Sequence, residues 1–305
     1  NIKNIIEKNQ SVFLLGSQGP DIFFYTDLRN NREKYYNYAE LLHSEKTKKF
    51  MEESFEFLKN NTENDDDYEK MLAYLLGFLC HFALDSKVHP FIYYYSGVND
   101  GKDEATKKYT YHHKRLEIIL DAIMIERLQG KNAYSYRAYN LLNLNGEFPE
   151  VFENYYSYIM DKVYDEKMEC EAIKKSFEGM VYYHKLLYDR WNIKKYLVKL
   201  IGIHKKDSPV VNYANSAFYP RKINDRDYLN ESKNIWHHPV TNVDNNQSFV
   251  DLFYEAVDNS IKYIKKAENY LYKNGELDII QNLSYSTGMD CDSINKLKYY
   301  KSIFD

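Results

Sequence analysis

The amino-acid sequence predicts an all-α protein, a single compact multi-helix domain. Glycine and proline, the residues that interrupt helices, number only 11 and 6 among 305 residues. Long segments place apolar residues three and four positions apart, which is the spacing of an amphipathic helix. A chain of this length can bury one large core, because single cores grow to roughly 250–300 residues before they divide. Since no repeat or proline-rich linker marks a boundary, we expect one domain over residues 1–305.

Breakers and capping residues along the chain predict where the helices begin and end. An opening helix at "NIKNIIEKN" precedes the glycine-rich turn of "FLLGSQGPDIFFY", where Pro20 suits the first turn of a short helix. Further helices are expected at 35–59, 67–95, 104–128, 148–163, 166–202 and 247–273. We expect the 166–202 helix to bend at Gly179 or Gly202. Residues 205–245 are expected to be an irregular loop that covers part of the domain.

Charge and cysteine content exclude several classes of protein. The net charge is only -4 with both signs interspersed, so no basic surface suited to nucleic acid is expected. The same balance gives no general reason to expect adsorption to a membrane. Cys80, Cys170 and Cys291 are odd in number and far apart, which argues against a disulfide framework or a thiolate zinc site.

No segment of the sequence predicts a transmembrane helix. The most apolar run, "MLAYLLGFLCHFALD", is shorter than the ~20 residues that a span needs, and it carries His and Asp. The chain as given shows no signal peptide, which favours a cytoplasmic over a secreted location. It also begins at Asn1 without Met, so we expect that an upstream segment was removed or left out. Nothing in the sequence indicates the oligomeric state.

The stretch "CHFALDSKVHPF" places three potential metal ligands on one helix face. His81, Asp85 and His89 are four residues apart, and residues at this spacing are stacked neighbours on a helix. The surrounding Leu, Phe, Ala and Val residues predict burial nearly all round. One buried imidazole is usually satisfied by ordinary hydrogen bonds, but three ligands in register favour a metal. A divalent cation also offsets the cost of burying a carboxylate.

A second pair of potential ligands occurs in "YHHKRLEIIL", where His113 and Glu117 are again four apart. Alone, this pair would be a surface contact, and His112 belongs to another face. Asp21 follows a Gly-Pro turn, and His43 lies where a helix changes from apolar to charged; singly, they would be a helix cap and a surface residue. Together the candidates supply four imidazoles and three carboxylates, which suit Zn²⁺. Seven ligands are too many for one tetrahedral ion, so they predict at least two zinc ions.

These segments resemble the zinc-dependent phospholipase C family, related to bacterial phosphatidylcholine-hydrolysing enzymes and clostridial alpha-toxin. The resemblance rests on "GSQGPDIFF", His43, "LLGFLCHFALDSKVHPF" and "HHKRLE", which keep the order Asp, His, His-x-x-x-Asp, His, His-x-x-x-Glu over about residues 10–120. "WHHPVTNVDNNQSFVDLFYEA" resembles the late segment of small family members from Gram-positive bacteria. We therefore expect a metal-ligand half at about 10–130, and a helical remainder with covering loops at 131–305.

The resemblance implies an all-helical fold that holds a three-metal cluster. One zinc would be bound by Asp21, His43, His81 and Asp85, and a second by His89, His113 and Glu117. Asp85 would bridge to a third ion, which relatives complete with an N-terminal amine and an early His. Neither group has a counterpart here, so two zinc ions are expected from this chain, and a third if an N-terminal segment is missing. His89 follows Asp85 more closely than in the toxin-like relatives, where the corresponding His lies in a non-helical turn.

The implied reaction is hydrolysis of a phosphodiester, either a phospholipid or a smaller ester, by metal-activated water. Asp21 is the candidate general base. A zinc-dependent nuclease is an alternative, because single-strand-specific nucleases resemble this family in metal site, but the missing basic surface disfavours nucleic acid. A non-catalytic metal-binding protein of the same fold is another. Aromatic residues of "FFYT" or "FIYYY" are candidates for the rim of the site, although most of them should pack in the core. His237 and His238 are expected to be structural, with the alternative that one of them faces the site.

Overall fold

Helices make up nearly all of the regular structure in the computed structural model, which describes residues 2–25, 32–62, 64–144, 146, 148–204 and 208–305. The α-helices are α1 (Ile2–Lys8), α2 (Gln10–Gly16), α3 (Arg32–Ser44), α4 (Thr47–Asn60), α5 (Asp65–Ser96), α6 (Lys108–Gln129), α7 (Glu150–Tyr164), α8 (Ala172–Leu187), α9 (Ile193–His204), α10 (Pro209–Ala217) and α11 (Phe249–Tyr272). Short 3-10 helices occupy Gly19–Tyr25, Glu104–Thr106, Ala133–Ser135 and Ala138–Asn140. The two-residue strands β1 (Trp236–His237) and β2 (Asp244–Asn245) pair antiparallel. The predicted all-α fold is confirmed.

The helix predicted at 35–59 is instead two helices, α3 and α4. Between them Lys46 has a left-handed backbone with φ 51°, which no continuous helix can contain. The Tyr164 hydroxyl donates to the Glu45 carbonyl at 2.9 Å, and the Thr47 hydroxyl donates to the Leu283 carbonyl at 2.9 Å. These partners lie more than a hundred residues away, so the helical periodicity of the segment did not reveal the break.

The predicted helix at 166–202 is also divided, into α8 and α9. The interruption lies at 188–192, where Asn192 has φ 58°, and not at Gly179, which lies within α8. The Asp189 carboxylate accepts the Lys195 backbone N–H at 2.8 Å, which satisfies one of the N–H groups that the first turn of α9 leaves without a helical partner. The irregular segment predicted at 205–245 contains α10, whose first turn begins with Pro209, a residue suited to that position.

The chain folds into two compact units, of which the first comprises residues 1–87, 139–183 and 253–295. Its core is rich in buried aromatic rings from α4, α5 and α7. The hydroxyls of Tyr74 and Tyr156 share a hydrogen bond of 2.6 Å, and those of Ser54 and Tyr155 share one of 2.7 Å. Because buried polar groups are costly without partners, these bonds allow tyrosine to serve as a core residue.

The second unit comprises residues 88–138, 184–252 and 296–305. Within it α6 packs on α10, and the Arg115 guanidinium donates to the Phe218 carbonyl at 3.0 Å. The Lys301 and Ile303 N–H groups donate to the Tyr94 and Tyr95 carbonyls at 2.9 and 2.7 Å, which fastens the end of the chain to α5. The prediction of one domain over residues 1–305 concerns how the two units are joined, and it stays a prediction.

Helix α5 carries three of the seven candidate ligands, His81, Asp85 and His89. Among the described helices, only α5 is long and apolar enough to cross a bilayer, yet 78% of its most apolar window is buried inside the protein. Such burial is typical of the central helix of a core. Pro90 lies inside this helix, where the missing N–H leaves one backbone carbonyl without its helical bond.

Replacing Gly77 by Ala should destabilise the first unit. A Cβ at Gly77 would collide with the Phe13 carbonyl oxygen and the Ser17 nitrogen, which are backbone atoms of the α2 region that cannot move independently. We expect Gly77→Ala to lower the free energy of unfolding by about 1–3 kcal/mol, the usual cost of overpacking, despite alanine's better helix propensity. Thermal unfolding measures the change, with Gly146→Ala as the control because no described atom lies within 4 Å of its added Cβ. Equal melting temperatures for the two variants would contradict the close approach of α2 and α5.

Candidate metal centre

Four ligand atoms converge in the first unit, one each from Asp21, His43, His81 and Asp85, and all lie within 4.8 Å of one another. Asp21 lies in the 3-10 helix Gly19–Tyr25, His43 in the last turn of α3, and the other two on α5. His43 Nε2 is 3.0 Å from Asp21 Oδ1, and His81 Nε2 is 3.1 Å from Asp85 Oδ2. The structure thus brings together four of the seven residues that the sequence pointed to.

The hydrogen bonds of the two imidazole rings show which ring nitrogen carries a hydrogen. His43 Nδ1 lies 2.6 Å from the Ala39 carbonyl oxygen, and His81 Nδ1 lies 3.2 Å from the Ser17 carbonyl oxygen. Because a carbonyl oxygen only accepts, each Nδ1 carries the hydrogen and donates it. In a neutral ring the lone pair is then on Nε2, which faces a carboxylate oxygen in both cases. Each nitrogen–oxygen pair at this distance is held together either by a proton on Nε2, as in an imidazolium–carboxylate pair, or by a metal cation.

This arrangement fits a zinc ion. A ring N–H donated to a backbone carbonyl is the usual support for a metal-binding imidazole, since it fixes the tautomer and the ring orientation. Tetrahedral zinc with bonds of about 2.0–2.1 Å separates neighbouring ligand atoms by about 3.3 Å. The observed N to O distances of 3.0 and 3.1 Å are close to that value. Two imidazoles and two carboxylates also match the ligand chemistry of zinc.

Burial differs sharply within this group. The exposed fraction of the side chain is 8% for His43, 7% for His81 and 12% for Asp85, but 45% for Asp21. Three ligands are therefore held in low-dielectric surroundings, where an uncompensated carboxylate is costly. Asp21 is the member of the group that is open to solvent.

Gly19 explains how the chain passes so close to His81. This glycine has φ 53°, and a Cβ there would lie inside van der Waals distance of the His81 ring. Glycine is therefore required for two reasons: the backbone is left-handed, and the His81 ring leaves no room for a side chain. The turn that it forms also carries the Ser17 carbonyl that orients His81, and Asp21 follows two residues later.

Sequence reasoning missed Tyr285, which packs against both imidazoles. Its ring centroid is 5.2 Å from that of His43 and 5.7 Å from that of His81, and its backbone N–H donates to the His43 carbonyl at 2.9 Å. Burial, with a further contribution from the Asp85 carboxylate, raises the pKa of Tyr285 well above its ordinary value, so the phenol stays neutral. Nothing local in "NLSYSTGMD" indicates this role, because the contact joins residues more than two hundred positions apart.

The second unit holds the other three predicted ligands, His89, His113 and Glu117, whose ligand atoms also lie within 4.8 Å of one another. Glu117 Oε1 is 3.1 Å from His113 Nε2 and 3.7 Å from His89 Nε2. The two imidazole rings are 5.6 Å apart between centroids. All three side chains are partly buried. Two imidazoles and one carboxylate are a recognised zinc ligand set that leaves a coordination position for water.

Charge around Glu117 favours its ionised form. Burial opposes ionisation, but the Lys114 ammonium, the His113 ring and hydrogen bonds from His113 and His89 together hold the pKa of Glu117 well below its usual range. Lys114 Nζ donates to Glu117 Oε2 at 3.3 Å, so the two carboxylate oxygens have different partners. The carboxylate is therefore ready to bind a cation at neutral pH. The i to i+3 spacing of Lys114 and Glu117 is a local signal that could have identified this lysine from the sequence.

Other predicted neighbours lie outside both groups. His112 faces away, with Nδ1 3.2 Å from the Ser302 hydroxyl, as its position in the helix predicted. His237 pairs with Asp244 across the β1–β2 ladder, and His238 Nδ1 accepts the Val240 N–H in the following turn. Both residues therefore serve the hairpin.

The aromatic segments divide between core and site. In "FFYT", Phe23 is buried in the core, whereas the exposed Phe24 stacks on His43 with centroids 5.6 Å apart; Thr26 lies outside the described residues. In "FIYYY", Phe91 is buried and Tyr93 packs on His113 at 4.7 Å. One aromatic residue of each segment therefore borders a ligand group.

Replacing Glu117 by Gln should remove one bound zinc ion per chain and leave the other. The amide keeps the size of the side chain but loses the negative charge that faces His89 and His113. Because even outer-shell partners of a metal are worth about 10–100-fold in affinity, losing a direct ligand should cost at least about 100-fold. Elemental analysis after dialysis measures the change. Glu126→Gln is the control, since Glu126 is an exposed residue of the same helix; equal zinc contents in both variants would contradict the second ligand group.

Comparison with known proteins identifies the family of this chain. No curated protein sequence and no solved structure matches the chain significantly. The family model described as zinc dependent phospholipase C matches residues 1–169, which is more than half of the 305-residue chain and includes all seven predicted ligands. Because this match covers more than half of the chain, the chain belongs to the zinc-dependent phospholipase C family.

Proposed function

We propose that this protein is a zinc-dependent hydrolase of the phospholipase C type, acting on the phosphodiester of a phospholipid or of a smaller ester. The observation that carries the proposal is the convergence of two separate sets of nitrogen and oxygen ligands, of four and three residues. Membership of the family supports the same reaction. A structural zinc site usually has four protein ligands, whereas a catalytic site has three and leaves one position open. The three-residue set therefore favours a catalytic role.

Zinc, when bound, polarises phosphate oxygens and makes water nucleophilic near neutral pH. The chain's own residues prepare both ligand sets for that role. Ala39 and Ser17 carbonyls orient the His43 and His81 rings, so the first set is fixed in place by the fold. The second set has three ligands, which leaves room for a water molecule or a phosphate oxygen.

Asp21 is the residue that we propose as general base. Its Oδ1 faces His43 Nε2 at 3.0 Å, while nearly half of its side chain remains exposed. A carboxylate that is fixed at one oxygen and open to solvent can accept a proton from a water molecule that attacks phosphorus. His43, His81 and Asp85 are too buried for that exchange, so they bind and orient.

The exposed aromatic residues beside His43 favour a substrate with an apolar part. Phe24 stacks on His43, and Tyr36 lies next to Phe24 with centroids 5.2 Å apart. Both rings are exposed, although aromatic side chains of this size usually gain by burial. We propose that they contact the apolar moiety of the substrate next to the phosphodiester.

A phospholipid or small ester is a better substrate than nucleic acid for this chain. Binding of nucleic acid depends on Lys and Arg side chains that neutralise several phosphates. The chain has 41 basic and 45 acidic residues, and Lys114 near the second ligand group is already paired with Glu117. One phosphodiester needs no such extended basic surface.

Parallel assays on two substrates test the proposal. We expect zinc-loaded protein to hydrolyse a chromogenic phosphocholine ester, and a chelator to abolish that activity. Cleavage of single-stranded DNA with no hydrolysis of the ester would identify a nuclease instead. Retention of zinc with neither activity would identify a non-catalytic metal-binding protein. Asp21→Asn should lower the rate of ester hydrolysis by about 100-fold or more, the range of general base catalysis, whereas Asp258→Asn, at an exposed position of α11, should not.

A further inference from the structure

Helix α9 and Trp191, two residues before the helix begins, present apolar side chains to solvent. The exposed side chains share the spacing i, i+3, i+4, i+7 and i+8, which is one face of a helix. Between 39% and 69% of each residue is exposed. We call this set the α9 stripe: Trp191, Ile193, Tyr196, Leu197, Leu200 and Ile201. A helix of an ordinary globular protein turns such a stripe toward the core.

The opposite side of α9 is held inward by specific contacts. The Lys194 ammonium donates to the carbonyls of Lys185, Leu186 and Tyr188 at 3.2, 2.9 and 3.0 Å, which caps the end of α8. Lys195 is partly buried, and this burial together with the neighbouring Arg115 charge lowers its pKa to about 8. These contacts fix the rotation of α9, and the apolar stripe therefore faces outward.

Gly202 extends the inward-facing side of α9. A Cβ there would lie 3.1 Å from Val211 Cγ1 of α10, so the two helices are in close contact. With α10 on one side and the capped end of α8 on another, the inward face is already occupied. The α9 stripe is thus left for a partner outside the described chain.

The charge of this segment differs from that of the rest of the chain. Residues 189–207 contain six basic residues and two acidic ones, Asp189 and Asp207, which gives the segment a net charge of +4, whereas the whole chain has a net charge of -4. The basic residues are Arg190, Lys194, Lys195, Lys199, Lys205 and Lys206. An apolar face flanked by lysine and arginine is the composition of helices that lie in the interface of an anionic membrane.

Aromatic residues at the start of the stripe fit the same partner. Trp191 is strongly exposed, and the Arg190 guanidinium lies 5.3 Å from its ring centroid. Tryptophan and tyrosine, each with an apolar body and a polar edge, favour the boundary between lipid headgroups and acyl chains. A protein partner would also cover an apolar stripe, but it would not by itself favour a segment with a net positive charge in a chain that is negative overall.

We propose that the α9 stripe lies in the interfacial region of an anionic phospholipid bilayer and anchors the protein there reversibly. This inference rests on the proposed function, because an enzyme that hydrolyses phospholipid must work at the surface in which its substrate is packed. Leucine, isoleucine and aromatic side chains of α9 enter the headgroup region. The exposed Arg190 and Lys199 beside them pair with lipid phosphates.

Fluorescence of the two tryptophans gives a direct test. Trp191 is 69% exposed, whereas Trp236 is 2% exposed, so a change in emission on binding reports on Trp191. With vesicles of phosphatidylglycerol and phosphatidylcholine, we expect a blue shift that brominated lipids quench. Trp191→Phe should remove the shift. Vesicles of phosphatidylcholine alone should bind more weakly, and raising the salt from about 0.1 M to about 0.5 M should weaken binding to the anionic vesicles. No binding of the unmodified protein to any of these vesicles would overturn the proposal.

Matched substitutions place the contact on α9. Ile201→Asp should lower the vesicle partition coefficient at least about tenfold, because an apolar side chain is lost and a negative charge is added. Ile235→Asp is the control, since Ile235 is 62% exposed and Ile201 is 52% exposed. Both positions are open to solvent, and far-ultraviolet circular dichroism checks that both variants fold. An equal decrease in the two variants would overturn the proposal. So would dimerisation without vesicles that Ile201→Asp abolishes, because the stripe would then be a protein interface.

A water-soluble phosphocholine ester separates this inference from the proposed function. Ile201→Asp should leave hydrolysis of the soluble ester unchanged and lower hydrolysis of vesicle lipid in proportion to the lost binding. Vesicle binding through α9 with no hydrolysis of either substrate would support the bilayer contact and overturn the proposed reaction. Hydrolysis of vesicle lipid that Ile201→Asp does not alter would overturn the bilayer contact and support the reaction.

Discussion

Asp85→Asn should remove zinc from the first ligand group and abolish most of the activity that depends on it. Asp85 Oδ2 faces His81 Nε2 at 3.1 Å, and only 12% of the side chain is exposed. The amide has nearly the same shape but lacks the charge that balances a divalent ion. Loss of a direct ligand should weaken zinc binding at least about 100-fold, because even outer-shell partners contribute about 10–100-fold. Elemental analysis and ester hydrolysis measure the two effects.

The same substitution should change stability only when zinc is present. A ligand at 100 times its dissociation constant stabilises the folded state by about 2.7 kcal/mol. Zinc should therefore raise the melting temperature of the unmodified protein and raise that of Asp85→Asn much less, while after chelation the two should melt within a few degrees. Asp258→Asn, the same chemical change at an exposed position, should behave as the unmodified protein does. An unchanged zinc content and melting temperature in Asp85→Asn would show that this ligand set is wrong.

Gly19→Ala should displace the turn that carries Asp21 and orients His81. At φ 53°, an alanine costs about 1–2 kcal/mol of backbone strain. Its Cβ would also overlap the His81 ring, so either the ring or the turn must move. The expected result is a lower melting temperature together with weaker zinc binding at the first ligand group.

Gly130→Ala separates strain from collision. Gly130 has φ 63°, close to that of Gly19, and its added Cβ meets no described atom within 4 Å. This variant should show the cost of backbone strain alone and keep its zinc. If Gly19→Ala matches Gly130→Ala in both stability and zinc content, the proposed dependence of His81 on the glycine turn is contradicted.

The ligands on α5 and α6 were predictable because their spacing is local. Four-residue intervals place side chains on one helix face wherever the helix forms, and both helices do form. The assignment of Asp21 and His43 to the set with His81 and Asp85 depended on the family resemblance, since no local pattern joins residues on separate elements. Convergence of those four ligand atoms is a tertiary feature.

The features that the sequence did not reveal depend on contacts between distant segments. The interruption at Lys46 is held by hydrogen bonds from Tyr164 and Thr47, and helical periodicity alone predicted an unbroken helix. Tyr285 reaches the imidazoles from the end of the first unit. The outward rotation of α9 follows from the anchoring of Lys194. Its apolar spacing indicated a helix and would ordinarily indicate a buried face.

Measuring bound zinc per chain, with and without a chelator, tests the central claim most directly. The two ligand groups predict at least two zinc ions per purified chain, and their removal should abolish hydrolysis and lower the melting temperature. Less than one zinc ion per chain, together with an activity that a chelator leaves unchanged, would contradict the assignment of a zinc-dependent hydrolase.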